Sequence, residues 1–170
     1  IVAASQDYSS FDLAITGWIQ RNLLNPFEGV AKAFHWFGTA KLGLLEIAAV
    51  AGMFAIRREW VYAGWSGGLL VPNLIAKALK SLIARPRPDA GLVYISVDSA
   101  SGYSFPSGHM VHFTLLLGII LYFGLLPKLS GASRILVAVG TAMILAIIGI
   151  SRVLLGVHWA SDVIGGVIWA

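Results

Sequence analysis

The sequence predicts an all-α protein built as a polytopic bundle of transmembrane helices, and three observations carry that prediction. Charged residues make up 12% of the chain and hydrophobic residues 58%, whereas a soluble domain carries about 25% charged residues. Mean hydropathy is +0.81. The apolar residues also come in long blocks, and a membrane-spanning helix needs about 17–25 of them in a row. At 170 residues a single domain covering 1–170 is expected.

The first element is an amphipathic helix over Ser9–Leu24. Ser9 and Asp12 have the spacing of a capping box. Phe11, Ile15, Trp18 and Ile19 fall on one face, with Gln20 and Arg21 elsewhere. Such a helix either lies in the membrane interface or packs on the bundle as a connection. Residues 5–29 are assigned to this helix and its connection, and 30–170 to the transmembrane core. Four apolar blocks follow. Phe34–Ile56 is interrupted only by Lys41 and Glu46, and Trp60–Leu79 only by Lys77. Met110–Leu126 and Ile135–Ile150 carry no charge, and Ser151 and the apolar turn beyond it lengthen the last. The chain opens on residues 1–4 without a Met and closes inside an apolar run. Residues 1–4 are therefore expected to be the tail of an earlier span, and Val157–Ala170 the first half of a truncated last one.

Within the blocks, Glu46 is expected to make a polar contact to another span, for instance with Lys77. Asn73 after Pro72 marks a kink repaired by neighbouring helices. Trp36, Trp60 and Tyr62 read as an aromatic belt. The absence of cysteine rules out disulfides and thiolate metal sites. A net charge of +4 suits lipid headgroups or phosphate. The basic residues are too sparse for nucleic acid.

Alternating the spans places the Arg57/Arg58 and Lys128/Arg134 loops on one face of the membrane. The long connection Lys80–Pro106, rich in Pro, Gly and Ser, and the turn Ser151–Val157 then share the other. Basic residues in the first pair make that face cytoplasmic. The second pair faces the periplasm or exterior, with Lys80, Arg85, Arg87 and Arg152 read as ligands for an anion.

That outer face gathers three clusters. They are Lys80-Ser-Leu-Ile-Ala-Arg-Pro-Arg87-Pro88, then Pro106-Ser107-Gly108-His109, then Ser151-Arg152 followed by His158 and Asp162. Lys80, Arg87 and Arg152 supply cations, and guanidinium groups grip phosphate oxygens in pairs. Ser107 and Gly108 sit where a helix starts, so free backbone N–H groups point outward to an anion. His158 and Asp162, four apart, share a helical face. The carboxylate orients one ring nitrogen and leaves the other to attack. His109 remains as proton donor to the leaving oxygen. Arg85 is read as a headgroup contact, His112 as a packed residue, and His35, without a companion motif, as interfacial.

In these three clusters the chain resembles the type 2 phosphatidic acid phosphatase superfamily. Its signature is Lys, six residues, Arg-Pro; then Pro-Ser-Gly-His; then Ser-Arg, five residues, His, three residues, Asp. Every part is present, over about residues 30–170. The resemblance implies a six-span helical core with its site toward the outer leaflet, and a phosphohistidine reaction with no metal or cofactor. Carried over, His158 is the nucleophile, Asp162 its partner, and His109 the general acid and then base. Lys80, Arg87, Ser107, Gly108 and Arg152 would hold the phosphate. The implied reaction is hydrolysis of a lipid phosphomonoester or diphosphate in a bacterial inner or plasma membrane. Phosphatidylglycerol phosphate, undecaprenyl diphosphate and phosphatidic acid all fit. The rival readings are a lipid phosphotransferase on the same scaffold, a vanadium haloperoxidase, against which the apolar blocks argue, and a transporter or scaffold without activity.

Overall fold

The computed structural model describes residues 8–97 and 102–170, and every regular element among them is helical. The expectation for residues 1–4 lies outside the described residues. Helix α1 (Ser10–Phe37) starts on the expected capping box. Ser9 Oγ accepts from the Asp12 N–H at 3.1 Å, and the Asp12 carboxylate accepts from the Ser9 N–H at 3.3 Å. The helix runs on through Pro26, so the connection expected within 25–29 is helical. A proline inside a helix costs about 3 kcal/mol. Burial of Ile19 and Ala31 against Val153, Leu154 and Leu155 offsets that cost, and a Glu28–Lys32 pair at 2.8 Å bridges the next turn.

At Gly38 the chain bends by 69° into α2 (Ala40–Ile56). The block Phe34–Ile56 is therefore not one straight span; its first turn belongs to α1. The block Trp60–Leu79 is also divided. Helix α3 (Trp60–Gly68) gives way at Leu69 to α4 (Leu70–Ile83). Pro72 has no N–H to give, and the Asn73 side chain donates to the Leu69 carbonyl at 2.7 Å. The Asn73 N–H bonds the same carbonyl at 3.4 Å, so Asn73 covers the Leu69 acceptor twice and not the Gly68 carbonyl that Pro72 leaves open. Helix α4 ends at Ala84, which takes a left-handed conformation (φ 53°).

Helix α5 (Gly108–Ile119) continues through a wide turn, Ile120–Leu125, and a tight one, Leu126–Lys128. Helix α6 (Gly131–Leu154) and the short α7 (Ala160–Trp169) complete the bundle. Gly108–Lys128 and Gly131–Leu154 are long and apolar enough to cross a membrane, and the bent pair α1–α2 makes a third if taken as one span. The outward face of α6 shows why lipid is the solvent. Ile135, Leu136 and Met143 are each at least 60% exposed, which costs little only where the surroundings are as apolar as they are. Trp36 and Trp60 are exposed, as a belt requires. Tyr62 instead stacks on Phe123 at 4.6 Å between ring centres.

Burial is concentrated at one end. Residues 148–160, the end of α6 and the turn after it, are enclosed almost throughout. Helix α1 packs against α6 and α7, and α5 packs between α4, α6 and α7. The C-terminal ends of α4 and α6 and the N-terminal ends of α5 and α7 therefore meet under α1, where all three sequence clusters lie.

Candidate active site

The turn Leu155–Trp159 presents His158, and the first turn of α7 presents Asp162, both buried. His158 Nδ1 lies 3.5 Å from Asp162 Oδ2 and 3.4 Å from Ser104 Oγ. Its Nε2 lies 3.4 Å from Arg87 Nη1. Asp162 Oδ2 also accepts from the Trp159 N–H at 2.8 Å and from the Ser104 hydroxyl. Its Oδ1 accepts from Arg85 Nη1 at 2.5 Å. The carboxylate thus caps its own helix and faces Nδ1 at once, leaving Nε2 toward the cations. Burial pushes the His158 imidazole down to about 4; the bond to Asp162 pulls the other way, and Arg87 and Lys80 push further down. At neutral pH the ring is uncharged, so Nε2 keeps its lone pair.

The cradle forms at the start of α5. The Ser107 N–H donates to the Asp162 carbonyl at 3.0 Å, which pins the N-termini of α5 and α7 together. The Val111 N–H closes on the Ser107 carbonyl at 3.0 Å. The N–H groups of Gly108, His109 and Met110, in the first turn, have no helical acceptor. The positive dipole end of α5 is therefore left open to an anion, whereas the Ser161 N–H at the start of α7 is taken by Asp12 at 2.9 Å. The Ser107 hydroxyl is buried with no partner among the described residues. Lys80 Nζ donates to the carbonyls of Tyr103 and Ser104, both at 3.0 Å. A Cβ on Gly108 would sit 4.0 Å from Lys80 Cε. Arg87 braces the loop through the carbonyls of Gly102 at 3.0 Å and Val157 at 2.6 Å.

Arg152 is fully buried. It donates to Ser151 Oγ and, at 3.1 Å, to the Ala31 carbonyl of α1, and its Nη1 meets His35 Nδ1 at 3.1 Å. His109 Nε2 in turn donates to the His35 carbonyl at 3.2 Å, and the two imidazoles stack 5.7 Å apart. His35 is therefore no isolated interfacial residue; it stands between Arg152 and His109. Most of the Arg152 donors are spent on α1 and Ser151, leaving one Nη1 N–H without a partner among the described residues.

The structure joins His158, Asp162, Arg87, Lys80 and Ser107 by contacts that run through Ser104 and the Asp162 carbonyl, and joins Arg152 to His109, beside Gly108, through His35. It also adds residues that sequence reasoning did not find. Ser104 bonds Asp162, and Arg85 is enclosed instead of meeting headgroups. Asp12, read only as a cap, is a partner of Arg85 at 2.7 Å, and Ser161 bonds both. The repeated Arg-Pro-Arg-Pro was the available signal for Arg85; Ser104 carried none. Glu46 pairs with His112 at 2.8 Å and not with Lys77. His112 borders a cavity of about 360 Å³ between α2, α4 and α5, which Gly108 and His109 also line.

Gly38 is required where α1 bends, because a Cβ there would overlap the His109 ring. Gly38→Ala is expected to displace that imidazole and lower kcat about 100-fold, the scale of a 1 Å misplacement of a reacting group. Steady-state kinetics in detergent, with circular dichroism showing unchanged helix content, checks this.

Fold and site together define a helical integral membrane protein with Lys80, Arg87 and Arg152 gathered at one end of its bundle. The chain belongs to the PAP2 superfamily, whose model matches residues 61–170. It is 34% identical over 145 residues to decaprenylphosphoryl-5-phosphoribose phosphatase of Mycobacterium tuberculosis, covering 81% of this chain and 71% of that one. It is 40% identical over 125 residues to phosphatidylglycerophosphatase B of Bacillus subtilis, covering 68% and 56%. The crystal structure of a transmembrane PAP2-type phosphatidylglycerolphosphate phosphatase from Bacillus subtilis superposes with a TM-score of 0.77 at 30% identity, over 98% of this chain and 84% of that one. Aquifex aeolicus LpxE shares the fold, with a TM-score of 0.70 at 17% identity over 96% and 92%.

Proposed function

We propose that this protein is a lipid phosphatase that hydrolyses a lipid phosphomonoester or diphosphate through a phosphohistidine on His158, without a metal ion. The observation that carries this reading is the disposition of one ring. His158 Nδ1 faces Asp162, and Nε2 faces Arg87.

In the first step the Nε2 lone pair attacks phosphorus and the phosphorus–oxygen bond to the lipid breaks. The leaving oxygen takes a proton from His109. Asp162 stabilises the positive charge that the His158 ring acquires. In the second step His109 removes a proton from water, the oxygen attacks phosphorus, and the P–N bond breaks with its electrons returning to Nε2. Lys80, Arg87, the free Arg152 N–H, the Ser107 hydroxyl and the first N–H groups of α5 meet charge on the equatorial oxygens. These cations supply in place the charge stabilisation for which other phosphoryl-transfer sites use a metal.

The curated relatives set the substrates to try, a phosphorylated prenyl-phosphoryl ribose and phosphatidylglycerol phosphate. The fatty or prenyl chain would lie among apolar helix faces. The site end faces the periplasm or exterior of a bacterial inner membrane, since Arg57 and Arg58, Lys128 in the tight turn and Arg134 in the first turn of α6 lie at the other end. The test is phosphate release by the purified protein from a panel of lipid phosphates and diphosphates in detergent. Release from at least one lipid, inhibited by vanadate and unchanged by EDTA, is expected. No release from any, or loss of activity on chelation, contradicts the reading.

A further inference from the structure

Arg85 is a cation with no place in the steps above, yet it is 3% exposed. Its Nη1 reaches Asp162 Oδ1 at 2.5 Å and Ser161 Oγ at 2.7 Å, and its Nη2 reaches Asp12 Oδ2 at 2.7 Å. Asp12 is held in turn by the Ser161 N–H at 2.9 Å and the Ser161 hydroxyl at 2.8 Å. Phosphate has no access to this guanidinium, which is enclosed between two carboxylates. A lone buried charge is costly, so the burial of each of the three groups depends on the other two.

The charges add up in an informative way. Arg85 alone beside Asp162 would neutralise it and weaken it as a partner for a positively charged His158. Asp12 offsets Arg85. The set Asp12, Arg85 and Asp162 then carries one net negative charge, which matches the one positive charge the imidazole gains on attack. We propose that Arg85 and Asp12 are positioning residues, a clamp reaching from α1 that orients Asp162 against His158 and sets the charge it presents. This rests on the assignment of His158 as nucleophile.

The charged and titratable groups facing His158 are Asp162 of α7, Lys80 of α4, Arg87 beyond α4, and His109 of α5. Removing one member of the clamp leaves these in place and changes the field by one charge of known sign. Arg85→Gln makes the surroundings of His158 more negative, so the acid limb of the kcat profile should move up by about one pH unit. Asp12→Asn, isosteric with the native residue, makes them more positive and should move the limb down by a similar amount. Both should lower kcat at least tenfold with KM within twofold. Arg85→Lys, which keeps the charge and loses the fork, should lower kcat without moving the limb.

The experiment measures pH–rate profiles of wild type and the three variants on the best lipid of the panel, alongside trapping of labelled phosphate on His158 in wild type. Label on His158 with limb shifts of opposite sign for Arg85→Gln and Asp12→Asn is the expected result. Label on His158 with profiles unmoved, or moved in the same direction, overturns the clamp and leaves the phosphohistidine reading standing. Absence of label on His158 overturns both. If Arg85→Gln does not accumulate, the downward shift in Asp12→Asn decides alone.

Discussion

Alanine in place of His158 is expected to lower phosphate release by at least about 10⁴-fold, the scale of removing a nucleophile from an otherwise intact site. The ring is buried, and its contacts are few: Nδ1 toward Asp162 and Ser104, Nε2 toward Arg87. Its removal leaves a small cavity and one less buried polar ring. The cations, the Ser107 hydroxyl and the start of α5 stay in place. Binding of the lipid phosphate should therefore survive, and the loss should appear in kcat. Single-turnover kinetics with a lipid-phosphate pull-down separates the two. A His158→Ala protein with wild-type turnover would remove the nucleophile from the account.

The second large effect is expected from Asp162→Asn, about 10³–10⁴-fold in kcat, since a triad-like base loses both its tautomer and its counter-charge. The carboxylate accepts on both oxygens, from Arg85 on one and from Ser104 and the Trp159 N–H on the other. An amide cannot do this. With its NH₂ toward Arg85 it sets donor against cation; reversed, it sets donor against the Trp159 N–H. Arg85 also loses half of its charge balance. The variant should unfold about 3–5 kcal/mol more easily, the range for breaking a buried pair. Thermal unfolding measured beside activity shows both losses. A fall in stability with kcat preserved would mean that Asp162 only caps α7.

The parts of this site that are local in sequence were legible there. His158 and Asp162 were paired correctly, but not by a shared helical face: His158 lies in the turn before α7, and the Asp162 carboxylate reaches it by folding back as the cap on the Trp159 N–H. Lys80, Ser107 and Arg152 sit at ends of apolar blocks, and block ends on one membrane face must lie at one level. The parts that were not legible depend on where α1 crosses the bundle. Asp12 meets Arg85 and Ser161 across 73 and 149 residues, and His35 meets Arg152 across 117. No spacing rule links such positions. Their burial also inverts the usual expectation for an Asp, an Arg and a His near an amphipathic helix. The divided blocks have a different cause. Apolar composition continues across Gly38 and Leu69, so hydropathy shows no break where the backbone makes one. Glu46 was correctly read as needing a polar partner. Its choice of His112 over Lys77 was decided by the contact between α2 and α5, which composition does not encode.

The central claim is that an imidazole nitrogen of His158 displaces the lipid oxygen from phosphorus. The most direct measurement is rapid quenching of the purified protein with a lipid substrate labelled in its terminal phosphate, followed by peptide mapping. The account predicts label on His158, stable to alkali and lost in acid, that forms and decays at rates fast enough to carry turnover. Turnover without any labelled protein, or label on a hydroxyl such as Ser104 or Ser107, would contradict it.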